Sequence, residues 1–384
     1  MLKKDNFFKG YFVNSNKYYE NIRKTKKIYN TFLTDLKNFK IPLLESYKKD
    51  YKFDFSTSTI KKFSKYNNIV IIGMGGSILG TKSIYSFLKQ KIKKEVFFFD
   101  NLDPNLHSDY KKIKNLKNTC FIVVSKSGST LETITNLSII FSEPLLKNKL
   151  VIITELKDSS LINIGNKFNA KIIEHKDFIG GRYSVLSEVG MFPAALMNLN
   201  ITKFKNLGKL IHNKHFISSL INSVSSIYTL NQQGVKISVI LNYDTQLNDL
   251  CLWHQQLVGE SLGKKGKGVT PIVSTCPKDH HSLMQLYLDG PKDKFFTFFS
   301  SSANRDRKVE SILNAQCEAT KNIFRKKRIS YRHFTFKKND EKELGSIFTF
   351  FVLETIMLAR LMNVNPYDQS AVEQIKIETK KFLR

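Results

Sequence analysis

Nine short apolar runs, separated by segments of helical periodicity, constrain the fold of this chain more than any other feature. Five lie in the first half, at residues 68–72, 95–99, 120–124, 150–154 and 171–174, and four follow at 236–241, 271–274, 295–300 and 331–336. They are rich in Ile, Val and Phe, which suit a pleated, buried surface. Between most of them apolar residues recur at helical spacing. Strands that alternate with helices form parallel sheets, because a parallel pair needs a long crossover and the crossover helices cover the sheet. The pattern restarts near 200–206, which predicts two doubly wound parallel-sheet α/β domains, each an αβα sandwich, with additional helices. The expected division is an N-terminal helical segment over 1–65, a first domain over 66–205 and a second over 206–384.

With 384 residues, 41% of them hydrophobic, the chain has enough apolar mass for two such cores. The longest apolar stretch, 347–362, is interrupted by Glu354 and Arg360 and reads as a buried helix, so no membrane span is expected. Cys120, Cys251, Cys276 and Cys317 show no metal-ligand spacing, so neither a metal site nor a disulfide framework is expected. The first residues contain no apolar core of the secretory type, and a reduced, cytoplasmic protein is the expectation.

A net charge of +28 raises the question of nucleic acid. The excess is mostly lysine and is spread along the chain, with local runs at 23–27 and 325–328. Arginine is the usual reader of bases and phosphates, and no zinc-finger, RNP-like or basic-zipper pattern is present. The charge therefore reads as lysine on solvated faces that steers small anions, with no nucleic-acid partner expected.

The stretch FIVVSKSGSTLETITN, residues 121–136, is the first candidate for chemistry. A buried strand ends in Ser125-Lys-Ser127-Gly-Ser-Thr130, and a helical pattern of Leu131, Ile134, Leu137, Ile140 and Phe141 follows. Backbone amides, hydroxyls and the positive end of a helix dipole converge at such a turn, which suits an anion. Ser and Thr are also ordinary helix caps, so anion site and simple N-cap both stand on this turn alone. A second turn, GMGGSILG at 73–80, also joins a strand to a helix. It fails the dinucleotide fingerprint because Ile78 occupies the third glycine place, and Asp100 is only a loose match to the ribose-binding acid. It fails the P-loop because Thr81 displaces Lys82. A glycine turn with Ser77 as an added donor remains, beside the first turn, and a phosphorylated metabolite fits the pair.

Three further blocks complete a specific pattern: GGRYSVLSEVG (180–190), QLVGESLGK with DHHSLMQL (256–264 and 279–286), and NPYDQSAVEQIK (365–376). In this order, after GMGGSILG (73–80) and SKSGSTLET (125–133), they resemble the glucose-6-phosphate isomerase family, whose domains are of the sugar isomerase type. The first 65 residues match less clearly. The resemblance implies an aldose–ketose isomerase that interconverts D-glucose 6-phosphate and D-fructose 6-phosphate through a cis-enediol, without a cofactor. It implies that Ser125, Ser127, Thr130 and the backbone amide of Lys126 hold the phosphate, with Ser77 near the sugar. Glu260 is then the base between C2 and C1, and Arg182 stabilises the enediolate. His281 and Lys376 assist ring opening, and Gln256 and Gln369 position hydroxyls. The family's histidine comes from the partner subunit, so a homodimer with shared sites is expected. Where many members have Gln before that histidine this chain has His280; register favours His281. Glu132 is left with three readings: orienting Arg182, orienting Lys126, or placing a charge in the first helical turn.

The residue types also make chemical sense on their own. A proton moved between adjacent carbons needs one base that returns what it takes, and an enediolate calls for a fixed cation. Another phosphosugar isomerase, or a phosphosugar-binding regulator, would keep residues 125–133 without needing Arg182, Glu260, His281 and Lys376 together.

Overall fold

All nine expected strands form, and every pairing among them is parallel. The structure is a computed structural model and describes residues 7–12, 15–140, 147–302 and 307–383. Phe141 and residues 1–6, 13 and 14 of the N-terminal segment therefore lie outside the described residues. The first sheet holds β1 (Asn68–Gly73), β2 (Glu95–Phe99), β3 (Thr119–Val124), β4 (Leu150–Thr154) and β5 (Lys171–Glu174) in the order β2-β1-β3-β4-β5. The second holds β6 (Ile237–Asn242), β7 (Thr270–Thr275), β8 (Lys294–Ser301) and β9 (Tyr331–Phe336) in the order β7-β6-β8-β9.

The strand order reverses between β1 and β3, where the crossovers leave to opposite faces and open a crevice beyond the strands' carboxyl ends. Gly73 pairs with Val124 in register, so the 73–80 and 125–130 turns leave neighbouring strands at one level. Alternate residues of these strands enter different cores, as a period of two requires. Ile69, Ile71, Ile122 and Val124 join a large core that continues into the second unit. Val70, Ile72, Phe121 and Val123 pack instead with Leu137 and Leu161, from the helices Leu131–Ile140 and Ser160–Phe168.

Helix Asn248–Leu262 lies between the two sheets. Ser83 Oγ, on helix Leu79–Leu88, donates to its Asp249 carbonyl at 2.8 Å. Trp253 is buried with its ring centroid 4.7 Å from that of Phe348. Burying a side chain of that size contributes about 2–3 kcal/mol, which fixes the helix that carries Gln256 and Glu260. Phe348 belongs to helix Glu341–Met362, which is long and apolar enough to cross a membrane but is 89% buried within the fold over its apolar window. Its charge at Glu354 is neutralised inside the core by Arg332.

The N-terminal segment straddles both units. Helix Asn16–Lys37, capped by Ser15, packs on the second: Asn21 Nδ2 donates to Thr229 Oγ1 at 2.9 Å and Arg360 pairs with Asp35 at 2.8 Å. The 3-10 turn Pro42–Tyr47 packs on the first, with the Tyr47 hydroxyl donating to the Tyr183 carbonyl at 3.1 Å.

Candidate active site

The 125–130 turn is built rigidly at the end of β3. The Ser125 amide donates to the Ile153 carbonyl, and the Glu155 amide and Thr154 Oγ1 donate to the Lys126 carbonyl. Gly128 has φ +68°, and a methyl group there would overlap Ser159, so glycine is required for both conformation and space. Ser125 is buried and its Oγ lies 2.8 Å from Thr130 Oγ1. Ser127 is exposed, and Thr130 immediately precedes helix Leu131–Ile140. Side-chain hydroxyls thus stand in front of the positive end of a ten-residue helix. The Lys126 side chain turns away: Nζ donates to the Asp177 carbonyl and lies 3.7 Å from Glu155 Oε1. That staple ties the turn to the loop that carries Arg182.

The glycine turn serves that same loop. Gly76 is in backbone contact with Gly181 and the Arg182 amide, closer than any side chain permits, and Ser184 Oγ donates to the Gly181 and Gly76 carbonyls. Ser77, half-buried, closes this turn. The two motif residues left over from the rejected cofactor readings pair with each other: Lys82 Nζ lies 2.6 Å from Asp100 Oδ2.

Arg182 is 1% exposed, and its guanidinium is held on all sides. Nε donates to Ser261 Oγ at 2.8 Å, Nη1 to Gln369 Oε1 at 2.6 Å and Glu260 Oε2 at 3.1 Å, and Nη2 to the carbonyls of Pro366 and Asp368. Its own carbonyl accepts from the Trp253 indole at 3.2 Å. Glu260 stays 28% exposed, and its second oxygen accepts from Gln256 Nε2 at 2.9 Å, one helical turn earlier. Lys264 pairs with Asp368 at 3.0 Å and holds the 365–369 loop over the cluster; this lowers the Asp368 carboxyl below its usual range.

Arg182, Glu260, Gln256 and Gln369 therefore converge, from sequence blocks far apart in the chain. Glu132 is not among the partners of Arg182 or Lys126 among the described residues; it stands half-buried in the first turn of its helix. Sequence reasoning missed Ser261, the two carbonyls and Tyr183, whose hydroxyl lies 2.8 Å from Ser261 Oγ and donates to the Pro366 carbonyl at 2.9 Å. Ser261 lies next to Glu260 in the same block, but backbone acceptors leave no residue-type signal.

His281 and Lys376 are not brought to this cluster within one chain. Helix Asn248–Leu262 starts at the carboxyl end of β6, where Asn242 Nδ2 donates to Asn248 Oδ1 at 2.6 Å. Twelve residues later, about 18 Å along the axis, Glu260 has reached the level of Pro271, near the start of β7, to which Gln255 is bonded. His281 lies beyond the other end of β7 and is exposed. His280 turns inward, its Nε2 2.7 Å from the Tyr243 hydroxyl, and burial, then the neighbouring His281, lowers its pKa. Lys376 lies on helix Ser370–Phe382, which has no buried residue, and among the described residues it pairs with Glu373 alone, one turn away. Among the described residues no three His, Cys, Asp or Glu side chains are grouped to hold a metal ion.

A family profile described as phosphoglucose isomerase matches residues 48–279 of this chain. The chain belongs to that family. Glucose-6-phosphate isomerase of Methanocaldococcus jannaschii is 33% identical over 353 residues, covering 85% of this chain and 87% of the relative. The Campylobacter jejuni enzyme of the same name is 29% identical over 86% of this chain and 88% of its own. Among solved structures, a protein of Thermus thermophilus described as hypothetical superposes over the whole of both chains, with a TM-score of 0.81 at 22% identity. A glucose-6-phosphate isomerase from Chlamydia trachomatis superposes with a TM-score of 0.73 at 20% identity, covering 85% of this chain and 71% of that one. These two likenesses are of fold.

Proposed function

We propose that the Arg182–Glu260 cluster is the catalytic centre of an aldose–ketose isomerase that interconverts D-glucose 6-phosphate and D-fructose 6-phosphate. The observation that carries this reading is the pairing itself: a fully buried, immobilised cation beside a carboxylate that keeps one face open. The phosphate sits on Ser125, Ser127, Thr130 and the Lys126 amide at the head of helix Leu131–Ile140, which holds the substrate by its inert end. Once the sugar is open-chain, Glu260 takes the proton from C2. The C–H electron pair becomes the C1–C2 double bond, and charge moves onto O1. Arg182 offsets that charge, and it cannot lose its proton to do so. The hydroxyl proton on O2 passes to O1, which moves the charge to O2. Glu260 then returns its proton to C1 through the electron pair of the C1–C2 double bond, and C2=O2 forms to give the ketose. Gln256 and Gln369 orient the two central groups and the sugar hydroxyls; Ser77 lies toward the sugar.

Ring opening needs a proton moved between O1 and O5, and we assign this to His281 of a second copy, with Lys376 assisting. The separation of Glu260 and His281 along helix Asn248–Leu262 supports this sharing, and so does the inward commitment of His280 to Tyr243. A homodimer with shared sites, working in the cytoplasm, is the form proposed; four free, buried cysteines suit a reducing compartment. We divide the chain functionally into an N-terminal helical segment (1–65), a phosphate-binding domain (66–205) and a domain that supplies the base (206–384).

The test is a coupled assay on fructose 6-phosphate, run beside Glu260→Gln. The native chain should turn over and Glu260→Gln should lose that turnover; an inactive parent, or equal rates, would sink the assignment. Sharing is read by mixing inactive Glu260→Gln and His281→Ala chains. Random pairing restores about a quarter of native activity if each site draws on both chains, and none if it does not.

A further inference from the structure

The basic run at 325–328 has no part in the isomerase chemistry, yet it is built into a cavity. At the amino ends of β8 and β9, a cleft of about 680 Å³ is lined by Lys292, Lys294, Lys327 and Arg328, with Asp289 as its one carboxylate. Of the cations, Lys294 is committed to the fold: Nζ donates to the Pro291 carbonyl at 2.8 Å and pairs with Asp293. Lys292, Lys327 and Arg328 are exposed and form no ion pair among the described residues. Asp289 accepts from Gln285 at 3.3 Å. The cleft therefore carries a strong positive excess with its single acid already partnered.

Two further features point to an occupant. Ser330 is 4% exposed and lines the cleft, and its Oγ has no hydrogen-bond partner among the described residues. A buried hydroxyl is ordinarily satisfied, so this donor is placed for something the cleft would hold. Arg328 adopts φ +55° at the end of helix Arg307–Lys326. The corresponding left-handed residues after helices Ser160–Phe168 and Glu341–Met362 are Asn169 and Asn363, the type that tolerates this conformation, while Phe39 takes the place after helix Asn16–Lys37. An arginine there is unfavourable for the backbone and puts a guanidinium, suited to bidentate phosphate contact, at the mouth of the cleft. Tyr287 and Phe296 supply an apolar wall.

We infer that this cleft is a second anion site, separate from the catalytic cluster, that takes a phosphorylated small molecule with an apolar or flat body. The phosphate is held by Lys292, Lys327 and Arg328, with Ser330 Oγ as a buried donor beneath them.

Isothermal titration of the native chain with inorganic pyrophosphate tests the anion half of this assignment. The expected result is two sites per chain. Ser127→Ala with Thr130→Ala should abolish one and leave the other. Lys327→Gln with Arg328→Gly should weaken only that other site, by about tenfold or more, with isomerase turnover unchanged. Glycine suits φ +55°, so the loss cannot be blamed on a damaged helix end; the unfolding midpoint should hold or rise. Ser330→Ala should weaken the same site by about tenfold. The inference is overturned if pyrophosphate occupies a single site that the 127/130 substitutions remove. It is also overturned if Lys61→Gln with Lys62→Gln, on another surface, weakens the second site equally. Capture of single-stranded RNA that Arg328→Gly abolishes, with no second pyrophosphate site, would reassign the patch to nucleic acid and overturn it as well.

Discussion

Two arginine–glutamate pairs lie among the described residues, Arg182–Glu260 and Arg332–Glu354, and both guanidinium groups are 1% exposed. In the second pair the carboxylate is buried too, at 2%. Arg332 meets it with both terminal nitrogens, adds Thr297 and Ser223, and lies against the rings of Phe334, Phe351 and Phe8. Nothing can enter. In the first pair only one nitrogen meets Glu260, and it also donates to the Gln369 amide oxygen, while the others go to a hydroxyl and two carbonyls. The arginine is anchored without needing its glutamate, so the glutamate is left partly in solvent to do something else. The second pair is closed and bidentate; the first, an anchored cation with an open carboxylate, is what the proposed site requires.

The contrast breaks most plainly in unfolding. Glu354→Gln should cost about 3–5 kcal/mol in denaturant titration, because it strands a buried charge. Glu260→Gln should fall within about 1 kcal/mol of the parent, since Arg182 keeps its other partners. Equal losses would erase the distinction. In turnover the order reverses: Arg182→Lys keeps a charge but loses the fork, and should lower kcat by about 10²–10³. Glu354→Gln should leave kcat of the folded fraction near native.

Much of this was legible in the residues. The nine strands were, because Ile, Val and Phe runs bounded by helical spacing admit few other readings. Arg182, Glu260, Gln256 and Gln369 were legible as members of ordered blocks, and the structure brings them together. The Arg332–Glu354 pair was not. Glu354 read only as an interruption in an apolar stretch, because the partner that justifies it lies 22 positions earlier on a strand. The anchors of Arg182 at Pro366 and Asp368 were equally invisible, being backbone carbonyls. His281 and Lys376 stand away from the cluster within one chain, and residue order carries no information about which copy of a chain a side chain would serve.

That gap sets the next expectation. His281→Ala should slow turnover of the cyclic substrate by about a hundredfold, the low end of general acid–base effects, and His280→Ala should change it far less. The reverse ranking would move the ring-opening role to the residue that now faces Tyr243. The smallest effect concerns Lys205, which is buried against Tyr51 and Phe53, its Nζ donating to the Ser46 carbonyl at 2.7 Å. Burial pushes its pKa down to about 7, only partly opposed by Glu188 and Asp50. Above that value the unfolded chain binds the proton that the folded chain has lost, so stability rises with pH until the unfolded lysine also titrates. The slope should be about 1 kcal/mol per pH unit between about pH 7 and 9, and Lys205→Met should remove it. Urea midpoints across that range measure it; an unchanged slope in the variant would place the titration elsewhere.

The central claim is that Glu260 carries a proton between C2 and C1 beside Arg182. Proton NMR of fructose 6-phosphate incubated with the protein in deuterium oxide tests it at the atom concerned. The native chain should wash deuterium into C1, whereas folded Glu260→Gln should leave that position protonated over the same time. Wash-in at the native rate in Glu260→Gln would contradict the assignment.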